Sequence, residues 1–405
     1  QKAVDLDANY AEAQYGLGWS LYHLERYGDA IEPLLDAINL KPDLGAAHFT
    51  LGQTYAAYKS FPQAIDEFKE TLRLIPTYPE AYIELGNAYL KNRDYDLAIG
   101  AYQEAIELNP GFFEAFTAIG VAYTESNRDK QAIEPLKNAL KINPDDGVAY
   151  LNLGTAYKNL GQHEEAIDAF LELIRIRFKD PDAYFLLAYE YFVEALYDDA
   201  IQRFKDAIRL DPDHIDAHFQ LSQVYDETGD LEESLREFEK VIQIQPRNLE
   251  GHYRKGDIYQ RLGDDKAAAK AFEEALMIDS SHTLSNYQLG LSYIKIDRHE
   301  DALEKFEKAI ESDPRFPEAY FQIGSMLAYL KRFKKAIDPL KKAINLNTNY
   351  SEAHYELGNA YSHLKQYQKA IESLAQVVLI NNLHSNAYLA LGLANSKVKQ
   401  YDQAT

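Results

Sequence analysis

A period of 34 residues constrains this chain more than any other feature of its sequence. It is plainest in Tyr55, Tyr89, Tyr123, Tyr157, Tyr191, Tyr225, Tyr259, Tyr293 and Tyr361, with Leu21 and Leu327 holding the same place where the series breaks. Counting a unit from Ala11, eleven full units run over 11–384 without an insertion. Residues 1–10 precede them and a partial unit fills 385–405. A chain of 405 residues ordinarily divides into two or three globular domains, whereas one unbroken register predicts a single array over 1–405.

Three more positions repeat with the tyrosine. Position 8 of the unit is glycine except at Ala188 and Ser222, and position 20 is alanine except at Ser234. Position 32 is proline at Pro42, Pro76, Pro110, Pro144, Pro212, Pro246 and Pro314. Between these marks apolar residues fall at helical spacing, as in Tyr82, Leu85, Tyr89 and then Ala98, Tyr102, Ala105. Each unit therefore reads as a helical hairpin. Pro79, Pro181 and Pro317 open first helices, Gly161, Gly229 and Gly263 sit in the turns, and the second helix stops before position 32. A glycine inside a helix costs about 1 kcal/mol relative to alanine. The expected offset is close contact within the hairpin, with the glycine under a large side chain and the small position-20 residue opposite. Pro33, Pro135 and Pro339 recur inside the second helix, where a local bend is expected.

Composition removes several function classes. With 46% hydrophobic and 26% charged residues the chain can fold. It has no cysteine, which excludes disulfides, zinc-thiolate and iron-sulfur sites, and thiol catalysis. A net charge of -22 repels a phosphate backbone, so no nucleic-acid partner is expected. The most apolar stretch, Ala183 to Tyr197, is interrupted by Glu190 and Glu194, so membrane insertion is not expected either. No phosphate-cradling loop, nucleophile elbow, HExxH or calcium-loop pattern breaks the repeat, which predicts a chain that is not an enzyme and needs no cofactor. His214 and His218 stand four apart beside Asp211, Asp213 and Asp216, a spacing that could suit a metal. His218 shares position 4 with His48, His252, His354, Tyr82, Tyr150 and Tyr184, so the position reads as one that wants a flat side chain, and no metal site is expected.

The set Leu at 7, Gly at 8, Tyr at 11, Ala at 20, an aromatic at 24, Ala at 27 and Pro at 32 is complete in AYIELGNAYLKNRDYDLAIGAYQEAIELNP, residues 81–110. This pattern resembles the tetratricopeptide repeat family, over essentially the whole chain. The resemblance implies an all-α solenoid of antiparallel helical hairpins forming a right-handed superhelix, with the first helix of each unit lining a concave groove. Residues 1–10 then read as the end of a second helix from a truncated preceding repeat, and 385–405 as a first helix plus a stub. Neither end carries a clear polar cap, so the chain reads as an excerpt of a longer array. Phe178, Ser280, Thr348 and Asn382 depart from proline, and Leu173, Val241 and Val377 from alanine, which implies local adjustment of packing. The carboxylate clamp of chaperone-binding members needs lysine at position 5 and is absent, and Asn152 alone fits the asparagine ladder of glycosyltransferase-feeding members.

Functional information is expected at groove positions 5, 9, 12 and 13, which share a helix face and are read as free of the hairpin's own core. Two units stand out: Tyr15, Trp19 and Tyr22 in the first, and Phe185, Tyr189 and Phe192 in the sixth, flanked by Leu151 and Phe219. Rigid rings facing a groove supply anchors for a peptide, although the same rings could pack between units. Residues 1–202 carry 33 acidic against 16 basic side chains, while 315–405 carry 6 against 11, including Lys331, Arg332, Lys334, Lys335, Lys341 and Lys342. Opposite charge at the two ends admits end-to-end self-association. The sequence reading is thus a non-enzymatic scaffold binding a protein or peptide partner in a concave groove. The alternatives are an arm of a larger enzyme or secretion complex, and a self-assembling solenoid. The chain reads as soluble, with the cytoplasm slightly favoured over the periplasm.

Overall fold

The computed structural model describes residues 10–402. Among the described residues there are 23 α-helices and no strand. The chain falls into two compact units, the first ending at His214 and the second beginning at Ile215. In the first unit six hairpins follow one another: α1 Ala11–His23 and α2 Tyr27–Leu40, α3 Gly45–Ala57 and α4 Phe61–Leu74, α5 Pro79–Lys91 and α6 Tyr95–Leu108, α7 Phe113–Glu125 and α8 Asp129–Ile142, α9 Gly147–Asn159 and α10 His163–Ile176, α11 Pro181–Val193 and α12 Tyr197–Leu210. The second unit continues with α13 Ile215–Thr228, α14 Leu231–Ile244, α15 Leu249–Arg261, α16 Asp265–Ile278, α17 Thr283–Lys295, α18 His299–Ser312, α19 Pro317–Tyr329, α20 Phe333–Leu346, α21 Ser351–His363, α22 Tyr367–Ile380 and α23 Ser385–Asp402.

Each hairpin closes on the contact expected from the sequence. A Cβ built on Gly52 would lie 2.7 Å from the Phe68 ring, and one on Gly358 would lie 2.6 Å from Leu374. These partners occupy position 24, where Leu34, Phe68, Tyr102, Leu136, Phe170 and Phe204 are fully buried in the first unit. The carbonyl of position 20 completes the cleft, with Ala30 O 3.3 Å from a Cβ on Gly18. The glycine penalty is thereby offset by burial of a large side chain in each full hairpin that carries the glycine. Pro33, Pro135 and Pro339 lie inside α2, α8 and α20, which run on through them.

The turn inside the hairpin is more uniform than its three glycines suggest. Position 15 has positive φ in all eleven full units, at Gly161, Gly229 and Gly263 but also at Glu25, Lys59, Arg93, Asn127, Ala195, Asp297, Lys331 and Lys365. There the amide of Arg26 donates to Leu21 O at 2.9 Å and that of Glu25 to Tyr22 O at 2.9 Å, which satisfies the last carbonyls of the first helix. The partial unit differs. Lys399 takes the equivalent place, and α23 continues past it to Asp402 as one helix of 18 residues. Left-handed backbone costs a non-glycine residue roughly 1–2 kcal/mol, and in the full units a packed second helix holds it in place. Residues 403–405, like the expected preceding helix in residues 1–9, lie outside the described residues.

The join between hairpins is tied by position 4. His48 Nε2 lies 3.1 Å from Pro42 O, His252 Nε2 lies 3.0 Å from Pro246 O, and Asn286 Nδ2 lies 3.0 Å from Ser280 O. Tyr184 Oη reaches Phe178 O in the same way. In these hairpins position 4 also supplies a hydrogen-bond donor to the carbonyl of position 32, a role that Asn286 fills as well as a ring does, while Phe116 at the same position has no donor.

Candidate partner-binding face

Position 5 is not free of the hairpin core, contrary to expectation. Phe185 on α11 packs its ring 5.8 Å from Phe204 and 5.2 Å from His214. Phe49 does the same with Phe68 and Tyr78, at 5.9 Å and 4.9 Å. In the second unit Tyr287 sits 5.7 Å from Phe306 and 4.8 Å from Phe316. In these hairpins the ring at position 5 thus lies between the core ring at position 24 and a ring at position 34 just before the next first helix. Its half-buried state reflects structural packing as well as any contact with a partner.

Tyr189 and Phe192 lie one and two turns further along α11 and are both half-buried. Lys158 Nζ stands 5.8 Å over the Tyr189 ring, and Phe192 packs 6.2 Å from Tyr197. Leu151 on α9 is half-buried against the core around Leu153 and Phe170. Phe219 belongs to the second unit, where its ring meets Phe238 edge-on at 5.6 Å. In the first hairpin Tyr15 and Tyr22 pack on Leu34 and Leu51. Trp19 is exposed, with its ring 4.1 Å from His23. Burial and then the charges of Glu84 and Tyr27 raise the Tyr22 hydroxyl above its ordinary pKa. Glu84 acts on Tyr78 and Tyr102 in the same sense, after burial.

The fourth hairpin breaks the ring pattern, and the sequence reading passed over it. Position 5 is Thr117 and position 34 is Asp146. Thr117 Oγ1 donates to Asp146 Oδ2 at 2.5 Å, while Asp146 Oδ1 caps α9 by accepting from the amides of Val148 and Ala149 at 2.9 Å and 3.1 Å. α9 approaches α7 more closely than other neighbouring first helices approach each other. Beside Thr117 lies a hollow of 310 Å³ lined by Leu90, Phe113, Thr117, Ala118, Val121 and Val148. Its sequence signal is the one threonine among the rings and aliphatics of position 5. A depression of 520 Å³ beside Ile106, Tyr123 and Pro135 is lined in addition by Gln103, Glu107, Glu134 and Asn138.

His214 and His218 have separate partners: His214 Nε2 lies 3.2 Å from Asp182, and His218 Nδ1 lies 2.6 Å from Glu237. Among the described residues no group of three or more His, Asp or Glu side chains is placed to hold a metal ion. None of their helices is long and apolar enough to cross a membrane.

Antiparallel hairpins of 34 residues, each closed by a small residue under a large one, define an α-solenoid. The chain belongs to the tetratricopeptide repeat family, whose signatures match residues 1–44, 79–112, 120–161, 148–180, 194–252, 249–282, 284–316, 324–365 and 351–384. Among solved structures it is similar to MamA, with 27% identity, 40% of this chain and 95% of that one covered, and a TM-score of 0.39. It is also similar to YrrB, described as a TPR protein with an unusual peptide-binding site, with 21% identity over 45% of this chain and 95% of that one and a TM-score of 0.40. The Cut9–Hcn1 hetero-tetramer of the APC/C aligns over 93% of this chain and 95% of that one, with 13% identity and a TM-score of 0.42. No curated protein matches the sequence.

Proposed function

We propose that this chain is a non-enzymatic interaction scaffold that holds an extended protein or peptide segment against its first helices. Family membership supports the scaffold role, and the observation that carries the binding role is the half-buried face of α11 at Tyr189 and Phe192. Phe185 supports these two from within the hairpin, Leu151 borders them, and Phe219 is assigned the same role on the second unit's own face. Tyr15, Trp19 and Tyr22 form a further contact on α1. Partner side chains gain by leaving water against rings already fixed in place, and the acidic surroundings favour neutral or basic segments.

The test is affinity capture from a native lysate with the parent chain and a Tyr189→Ala, Phe192→Ala variant. Circular dichroism first establishes that both are equally folded. A protein retained by the parent and lost by the variant supports the reading; equal recovery of every retained protein removes it. Phe185→Ala is kept as a separate variant, since loss of its packing on Phe204 would lower stability as well.

A further inference from the structure

We infer that the hollow on α7 receives an aromatic side chain from an extended partner segment that carries lysine or arginine beside that residue. The inference rests on the binding role proposed above and adds the chemistry of one contact.

The chain itself shows what fits there. In the second and sixth hairpins position 5 holds a ring of the chain's own, Phe49 and Phe185, between its position-24 and position-34 partners, while the adjoining third and fifth hairpins hold the apolar Ile83 and Leu151 there. At Thr117 that ring is missing, and its position-34 partner has become Asp146. Both Asp146 oxygens are already engaged, one by Thr117 and one by the first amides of α9. The floor is therefore satisfied, while Leu90, Phe113, Ala118, Val121 and Val148 supply apolar walls. A polar group entering would lose water without gaining a partner. At 310 Å³ the hollow lies at the small end of ligand sites, in keeping with one side chain and not a cofactor.

Charge selects the flanks. Glu114 lines the hollow, and Glu125 follows Val121 by four residues, so a carboxylate stands at each end of the same α7 face. On α5 the acidic residues are Glu80 and Glu84, and Lys91 is the one basic residue of α5 and α7 together. A ring inserted between these carboxylates brings its neighbouring residues within their field, which favours cations and disfavours anions.

The experiment uses the full chain labelled with carbon-13 at threonine and valine methyls, observed by NMR. The probes are the capped tripeptides Lys-Phe-Lys, Lys-Ala-Lys and Glu-Phe-Glu, taken to about 10 mM so that a weak single contact is visible. The expected result is a saturable shift of the Thr117, Val121 and Val148 methyls with Lys-Phe-Lys, weakened about tenfold or more with either other peptide. Thr117→Phe, which supplies the missing ring from within, should abolish the Val121 and Val148 shifts. Val148→Lys on the exposed rim should weaken the Thr117 and Val121 shifts strongly even if Thr117→Phe proves unfolded. Equal shifts with Lys-Phe-Lys and Lys-Ala-Lys, equal shifts with Lys-Phe-Lys and Glu-Phe-Glu, or no shift at these methyls would overturn the inference. Capture through Tyr189 and Phe192 reads a different helix, so the two ideas can fail separately.

Discussion

Nδ1 of His163 sits 2.7 Å from Oε2 of Glu190, a glutamate fully buried between hairpins. The other carboxylate oxygen of Glu190 is buried without a hydrogen-bond partner. Elsewhere the same unit position holds apolar residues such as Ala88, Ala122, Val224 and Ile258, or the small hydroxyls of Ser20, Thr54 and Ser292. Glu190 is thus the one carboxylate at a position otherwise filled by apolar or hydroxyl side chains, and one histidine at its edge partners it.

That arrangement makes the two partners unequal. His163→Ala leaves a buried carboxylate with no partner and should cost about 3 kcal/mol. Glu190→Met removes the buried charge and leaves a histidine whose side chain is 26% exposed and can hydrate, so stability should be unchanged or raised by about 1 kcal/mol. Urea unfolding of the three chains decides this, and equal losses in both variants would refute it.

Gly154→Leu should destabilise by about 3 kcal/mol, because even its Cβ would press on the fully buried Phe170 ring. Gly154→Ala should cost much less, since Ala188 and Ser222 occupy the equivalent place in other hairpins. Melting of both variants is the measurement; a leucine variant that melts with the parent contradicts the packing account.

At position 15 the direction reverses. Ala195 holds a φ of 56°, and Ala195→Gly should stabilise by roughly 1 kcal/mol, while Gly161→Ala should destabilise by about the same amount. Denaturant midpoints for the pair, compared with the parent, would show opposite shifts.

Tyr293 gives the chain an alkaline limit. Burial, and then its 2.6 Å hydrogen bond to Glu273, push its pKa up to about 12. An unfolded tyrosine ionises near pH 10, so the proton is held more tightly in the folded chain. The stabilisation is intact below pH 10 and is lost as pH rises through about 12. Several tyrosines are held above their ordinary pKa, Tyr22, Tyr78 and Tyr102 among them, so ultraviolet titration should show a group of tyrosinate signals delayed past pH 10 that is smaller by one in Tyr293→Phe.

These residues also show which parts of the molecule can be read without coordinates. The period, the hairpins and the contact of Gly52 under Phe68 follow from spacing, because packing at positions 8 and 24 admits few residue types. Position 15 hides its geometry: left-handed backbone there is carried by Glu25, Lys59 and Arg93 as well as by glycines, held by the surrounding hairpin and not by residue choice. The burial of position 5 is equally hidden, since the partner at position 34 is His214 for Phe185, Tyr78 for Phe49 and the helix-capping Asp146 for Thr117. A pattern of conserved spacing cannot register a position that alternates between a ring and a cap. The hollow at Thr117 follows from that alternation, so it too becomes visible only when both positions are seen together.

The shared closure of the hairpins bears on how such a chain can change over generations. A deletion or duplication of 34 residues joins a second helix to a first helix across a boundary of the same kind, and no large side chain is left without its small counterpart. A change of 33 or 35 residues breaks that match at once. Array length can therefore drift by whole units through unequal recombination, whereas the fourth hairpin, with its threonine and capping aspartate, is a part for which no sister copy can substitute.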